Sequence, residues 1–214
     1  MTHGYVSATG LSLSTGHGPV FSDVSFDFDK GVLAVVTGPS GSGRSALLLA
    51  IGGRMRGLTG SLRVAGFDGS NQSREIRATA SIARISHLVD LEGQLSVGDS
   101  ITERALTDGL PGPRAAAVFE HAEKILDVTF DRSLLVDDLS ALHGTLLAVA
   151  LATLRPAHLL LLDDADAGLG LSDQRQLMAA LLRVAETGVT VVTSALGAEA
   201  APTEAVLYSL PTRS

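Results

Sequence analysis

Residues 32–45 read VLAVVTGPSGSGRS, and this stretch decides the fold. Residues 32–37 (VLAVVT) are a continuous apolar run rich in β-branched side chains, the pattern of a strand covered on both faces. Gly38-Pro39-Ser40-Gly41-Ser42-Gly43-Arg44-Ser45 ends that strand and opens a helix predicted over Arg44 to Ile51. Glycines at this spacing let main-chain N–H groups curl around phosphate oxygens without a Cβ in the way. The N-terminus of the following helix adds a field that favours an anion. Strand, glycine loop and helix together are the context a phosphate loop requires, with the Ser45 hydroxyl placed for Mg²⁺. Arg44 stands where such a loop carries lysine. It keeps the charge, but its planar, bulkier head makes the exchange non-neutral in a tight site.

On either side of this stretch the pattern alternates between strand and helix. Residues 20–28 (VFSDVSFDF) place Val24, Phe26 and Phe28 on one face of a half-buried strand, and Gly60 to Gly66 reads as a short antiparallel strand after a turn. Residues 114–127 and Leu142 to Leu154 read as helices, the second stopped by Pro156. His158 to Leu162 is a second buried strand, ending in Asp163 and Asp164. Ser172 is placed to cap a helix running to about Glu186, and Val189 to Thr193 is a third buried strand. This order implies a largely parallel sheet with ligands at its carboxyl edge.

Composition narrows the function. A chain of 214 residues with 45% apolar content builds a core within one domain. Its longest apolar stretches, such as Leu146 to Leu154, fall well short of the roughly 18 residues a membrane helix needs. The N-terminus MTHGYVSATG lacks the basic and apolar regions of a signal peptide, so a cytoplasmic chain is expected, meeting a membrane only through a partner. The absence of cysteine excludes disulfides and thiolate metal sites, and six scattered histidines show no ligand spacing. A net charge of −7 without a basic run points away from nucleic acid.

Beyond the phosphate loop, the order and spacing of weaker motifs resemble the ATP-binding-cassette (ABC) ATPase family along nearly the whole chain. Asp163 ends the strand LLLLD, where the family's Walker B aspartate holds Mg²⁺ through water. Leu139-Ser140-Ala141-Leu142-His143 stands one helix earlier, where the family's LSGGQ signature stands. Ser140 also reads as the N-cap of that helix. The resemblance implies an α/β fold of the P-loop NTPase type: a mostly parallel central sheet, an antiparallel β subdomain and a small helical subdomain. It implies one such domain over residues 1–214, with the helical insert at about 88–137. ATP is expected on Gly38, Pro39, Ser40, Gly41, Ser42, Gly43, Arg44, Ser45 and Ala46, and Mg²⁺ on Ser45 and Asp163.

Several positions depart from the family pattern. The catalytic glutamate aligns with Asp164, which keeps a carboxylate but is one methylene shorter. The Q-loop glutamine aligns with His87, the D-loop aspartate with Gly170, and the switch histidine with Ser194, read here as a loop residue after the strand. The adenine-stacking aromatic falls near Thr15, which has no ring. Phe21 and Tyr5 are substitutes, with core or edge packing the ordinary role for each. The two signature glycines have become Ala141 and Leu142, whose side chains are expected to hinder close approach of a second copy.

Binding needs the glycine loop, a cation and Mg²⁺ ligands, which remain. Hydrolysis needs a placed water, a base and a phosphate sensor, which are weakened together. The resemblance therefore implies an ATP-binding subunit of a transporter with slow turnover, working on an integral membrane partner through residues 88–137. It implies a homodimer or pseudo-dimer on ATP binding and a place at the inner face of the cell membrane. The alternative is a catalytically impaired pseudo-ATPase that regulates or dimerises. A small-molecule kinase would need an arginine-rich lid, whereas Arg54, Arg56 and Arg114 are scattered.

Overall fold

The apolar run before the glycine loop forms a central strand, β3 (Leu33–Thr37). Leu33 and Val35 enter one core cluster and Ala34 and Val36 another, so polar residues are excluded from both faces. The structure is a computed structural model that describes residues 4–86 and 88–211. Beside β3 lie β6 (Ala80–Arg84), β7 (Leu159–Leu162), β8 (Thr190–Ala195) and β9 (Val206–Ser209). They form a five-stranded sheet in the order β6-β7-β8-β3-β9, and every pairing is parallel. β7 repeats the logic of β3: Leu160 and Leu162 face the first cluster, Leu159 and Leu161 the second.

A second, antiparallel sheet has the order β2-β1-β4-β5. It comprises β1 (Val6–Thr15), β2 (Gly18–Phe28), β4 (Leu58–Val64) and β5 (Phe67–Asp68). Val24, Phe26 and Phe28 are buried, as their alternation predicts. They share a core with α1 (Arg44–Ile51), which keeps the bounds expected from sequence.

The other face of the parallel sheet carries α5 (Ala141–Ala152) and α6 (Leu171–Glu186), and α4 (Gly112–Leu126) packs on both. α5 is buried from Thr145 to Ala152 because sheet and helices surround it, and it ends before Pro156. The short α2 (Ser73–Thr79) and α3 (Val97–Thr107) complete the helices. The expectation that Ser172 caps α6 is corrected. The helix starts at Leu171 with Gly170 as its N-cap, which puts Ser172 in the first turn.

α3, α4 and a 3₁₀ turn at Val136–Asp138 make up the helical stretch predicted at about 88–137. Glu123 fastens it: its carboxylate accepts from Phe130 N–H at 2.9 Å and from both terminal nitrogens of Arg132 at 2.7 and 2.6 Å. The same guanidinium lies 4.6 Å over the Phe119 ring.

Candidate functional site

Because β6, β7, β8 and β3 are parallel neighbours, their carboxyl ends open on one edge. That edge gathers Gly38–Ser45 after β3, Asp163 and Asp164 after β7, Ser194 in β8, and Arg84 and Ser86 at the end of β6.

The glycine loop is tightly bent. Ser42 N–H donates to Pro39 O at 3.1 Å, and Gly43 enters α1 with φ 97°. A Cβ on Gly43 would lie 2.6 Å from the Val20 carbonyl oxygen, so the loop rests against β2 only because this residue is glycine. Ser42 is buried, and its Oγ lacks a hydrogen-bond partner.

Arg44 does not point away from the loop. Its side chain folds back, is only 9% exposed, and donates from Nη1 to Gly38 O and, at 3.0 Å, to Pro39 O. Nη2 donates to Asp164 Oδ1 at 2.7 Å. The Nε–H is buried and unpartnered.

Asp163 is 0% exposed. One carboxylate oxygen accepts from Ser194 Oγ and the other from Ser86 N–H at 3.3 Å. Asp164 has a left-handed backbone, φ 46°, and each of its polar groups is engaged. Its N–H donates to Ser194 Oγ at 2.8 Å, and its carbonyl accepts from Arg84 Nη2 at 2.8 Å. Its Oδ2 accepts from Ser86 Oγ at 2.7 Å, while Oδ1 takes Arg44. Burial pushes the Asp164 carboxyl up. The hydrogen bonds from Ser86 and Arg44 and the charges of Arg44 and Arg84 outweigh that and hold it below the usual carboxylate range.

Two sequence expectations are corrected here. Ser194 is not a loop residue: β8 runs to Ala195, paired with Thr37, and Ser194 is wholly buried. Its hydroxyl binds both aspartates and organises the acidic strand end. Leu142 does not hinder approach, because its side chain is 8% exposed and packs in the core behind α5. Only Ala141 of the altered glycine pair is exposed. His87 lies outside the described residues. Its neighbour Ser86 contacts both aspartates, and no sequence signal had marked it.

The remaining positions fall as follows. Ser140 is the N-cap of α5, accepting from His143 N–H at 3.2 Å, with His143 Nδ1 2.8 Å from the same oxygen. Leu139 packs partly buried on the core. Pro39, Ser40 and Gly41 are exposed at the loop's tip, and Ser45 and Ala46 are half-buried in the first turn of α1. Phe21 is core, Tyr5 packs half-buried against it with its phenol pushed up by burial, and Thr15 is exposed at the end of β1.

The site combines a glycine loop at a helix start, a buried cation, two orphaned buried polar atoms and, at the same sheet edge, the buried Asp163 carboxylate and the Ser45 hydroxyl in the first turn of α1. Such a set suits an anion with a divalent metal, since Mg²⁺ takes one or two protein oxygens and completes its shell with phosphate and water. The model of the ABC transporter family matches residues 21–167, well over half of the chain. The chain belongs to the ABC transporter family, as an ATP-binding subunit. It is 32% identical over 200 residues to the cytochrome c biogenesis ATP-binding export protein CcmA of Xanthomonas axonopodis pv. citri (strain 306), covering 92% of this chain and 89% of that protein. It is 28% identical over 193 residues to the hemin import ATP-binding protein HmuV of Rhodococcus jostii (strain RHA1), covering 86% of this chain and 64% of that protein. Among solved structures, cbiO1 from Clostridium perfringens, described as part of the ABC transporter complex cbiONQ, superposes with a TM-score of 0.81 at 16% identity. That match covers 98% of this chain and 85% of the other, and shows that the fold is that of an ABC ATPase. An ATP-binding cassette of an ABC transporter in its ADP conformation gives a TM-score of 0.75 over 98% of this chain and 88% of the other, at 15% identity. In this ABC subunit positions 44, 164 and 194, three of those read from the sequence as departures from the family pattern, are not scattered. They form one connected set of bonds.

Proposed function

We propose that this subunit binds Mg-ATP on residues Gly38 to Ala46, with Ser45 and Asp163 as the magnesium residues, and hydrolyses it slowly. The observation that carries this reading is the pair of buried, unpartnered polar atoms at the loop, Ser42 Oγ and Arg44 Nε. Native structures rarely leave such groups unpaired, and a phosphate oxygen supplies the acceptor that Nε lacks. Magnesium supplies charge neutralisation between the phosphate oxygens when bound. Slow turnover follows from Asp164. A general base must reach its water, and aspartate is one methylene shorter than the glutamate the family pattern places here, on a backbone fixed by Ser194 and Arg84.

The partner in this proposal is an integral membrane subunit that docks on the helical stretch. A cleft there is lined by Ala83, Val89, Leu91, Glu103, Arg104 and Leu151. Among the described residues no helix is long and apolar enough to cross a membrane, so attachment to the inner face of the cell membrane would run through that partner. Two copies would meet on ATP, with Ser140 at the start of α5 offered across the interface.

Calorimetric titration of Mg-ATP, with phosphate release measured in parallel, tests the proposal. Saturable, magnesium-dependent binding with slow release is expected. Absence of binding refutes the reading, and release typical of a vigorous transporter ATPase refutes slow turnover. The short carboxylate at position 164 and the burial of Ser194, whose hydroxyl is committed to both aspartates, also favour a second reading, a nucleotide-dependent regulatory module. Dimerisation on ATP with no phosphate release at all would identify it.

A further inference from the structure

Arg44 and Asp164 are 120 residues apart in sequence, and each differs from the family residue at its position; here they are bound to each other. The two exchanges are complementary. Arginine offers a planar fork with several donors, and aspartate a short carboxylate that meets it at 2.7 Å. The pair is largely shielded from water, with side-chain exposures of 9% and 25%. In this arrangement the one cation of the loop is neutralised, and its Nη1 is occupied by the loop's own carbonyls.

We propose that the Arg44–Asp164 ion pair, tied through Ser86 to the strand end that leads into the helical insert, is a self-occluding latch that nucleotide must open. The inference rests on the nucleotide-binding reading above. In the closed pair Nε is buried and Nη1 is held by the loop's carbonyls. For Arg44 to present any nitrogen to a phosphate oxygen, the guanidinium must turn and Nη2 must leave Asp164, so part of the binding free energy goes into breaking the pair. The measured affinity is then the intrinsic affinity reduced by the fraction of molecules with the latch open.

Asp164 is held by its neighbours: at φ 46°, a conformation aspartate tolerates, it is bonded by Arg44, Ser86, Ser194 and Arg84 from four sides. Losing Arg44 removes the only cation bonded to its carboxylate among the described residues. The remaining carboxylate partner, Ser86, sits two residues beyond β6 and also donates its N–H to Asp163. The bonds Arg44–Asp164–Ser86 therefore run from the phosphate loop to the entry of residues 88–137, so phosphate occupancy changes the restraint on that entry.

The test is Asp164→Asn, read by thermal unfolding without nucleotide and by Mg-ATP affinity. Asparagine is nearly isosteric and tolerates positive φ, so the fold is kept while the charge is removed. The latch predicts two opposite effects. The nucleotide-free protein melts at a lower temperature, because a buried guanidinium has lost its counter-charge. Mg-ATP affinity rises about tenfold, because Arg44 is already released. Ser86→Ala, which weakens the same restraint without touching the pair, gives a smaller gain of about two- to threefold. It also serves as the arbiter if the asparagine variant does not fold. Wild-type protein that binds Mg-ATP with neither variant binding more tightly overturns the latch and leaves the nucleotide reading standing. Wild-type protein that binds none overturns both.

Discussion

Replacing Ser194 by alanine separates an organising residue from a phosphate sensor. The Ser194 hydroxyl accepts the Asp164 N–H at 2.8 Å and donates to Asp163 Oδ1. Ser194 and Asp163 are both 0% exposed, so water cannot replace the lost partner without a rearrangement. Ser194→Ala leaves one backbone N–H and one carboxylate oxygen unsatisfied in this site. A buried polar group stranded in this way costs about 1–3 kcal/mol, more when charged. Two such groups, partly relaxed, give an expected loss of about 2–4 kcal/mol. The assay is urea unfolding of the nucleotide-free protein at neutral pH, read from the midpoint at unchanged slope. A residue whose role is only to touch a bound phosphate would leave the nucleotide-free protein within about 0.5 kcal/mol of wild type. That result would refute the organising role.

Three further outcomes follow from the geometry. Glu123→Gln should lower stability by about 2 kcal/mol at pH 7, less than a fully buried pair because Arg132 is 40% exposed. The Arg132 hydrogen bonds, against burial and with the Phe130 N–H and the Arg132 charge, hold the Glu123 carboxyl below its ordinary value. The stabilisation is therefore complete above about pH 4.3 and lost as pH falls through the lower folded value, so the gap between wild type and variant should close in acid. A gap that is the same at pH 7 and pH 3 contradicts this. Leu142→Gly, which writes a signature glycine back in, should cost about 3–5 kcal/mol in urea unfolding because Leu142 is core; a neutral result would mean it faces outward. Gly43→Ala should weaken Mg-ATP binding by at least tenfold, since its methyl meets the Val20 carbonyl at 2.6 Å and displaces the loop; unchanged affinity would contradict that geometry.

The parts of the fold legible in the sequence were those with uninterrupted physical signals. β3 and β7 are buried on both faces and almost wholly apolar, β8 carries Val191 and Val192 between threonines, and the glycine spacing before α1 leaves few alternatives. β1 was missed because VSATGLSLST mixes serine and threonine into its pattern, and register shifts around Gly10 break its alternation. β9 was missed because most of its side chains are exposed at the sheet edge. β8 seemed to stop at Thr193 because the apolar run stops there. Pairing of Thr37 with Ala195 carries the strand onward and buries Ser194. That extension is a tertiary effect and leaves no local trace. The phosphate loop and the two aspartates could be found by motif, but the Arg44–Asp164 bond joins residues with no local relation, and Ser86 is a single serine with no pattern around it.

The central claim is that the loop from Gly38 to Ser45 holds a triphosphate. The most direct measurement is a crystal structure of the chain grown with Mg²⁺ and a non-hydrolysable ATP analogue. The account predicts phosphate density against the main-chain N–H groups of that loop, with Arg44 turned from Asp164 to a phosphate oxygen. An analogue bound elsewhere, or a loop left empty at saturating concentration, would contradict it.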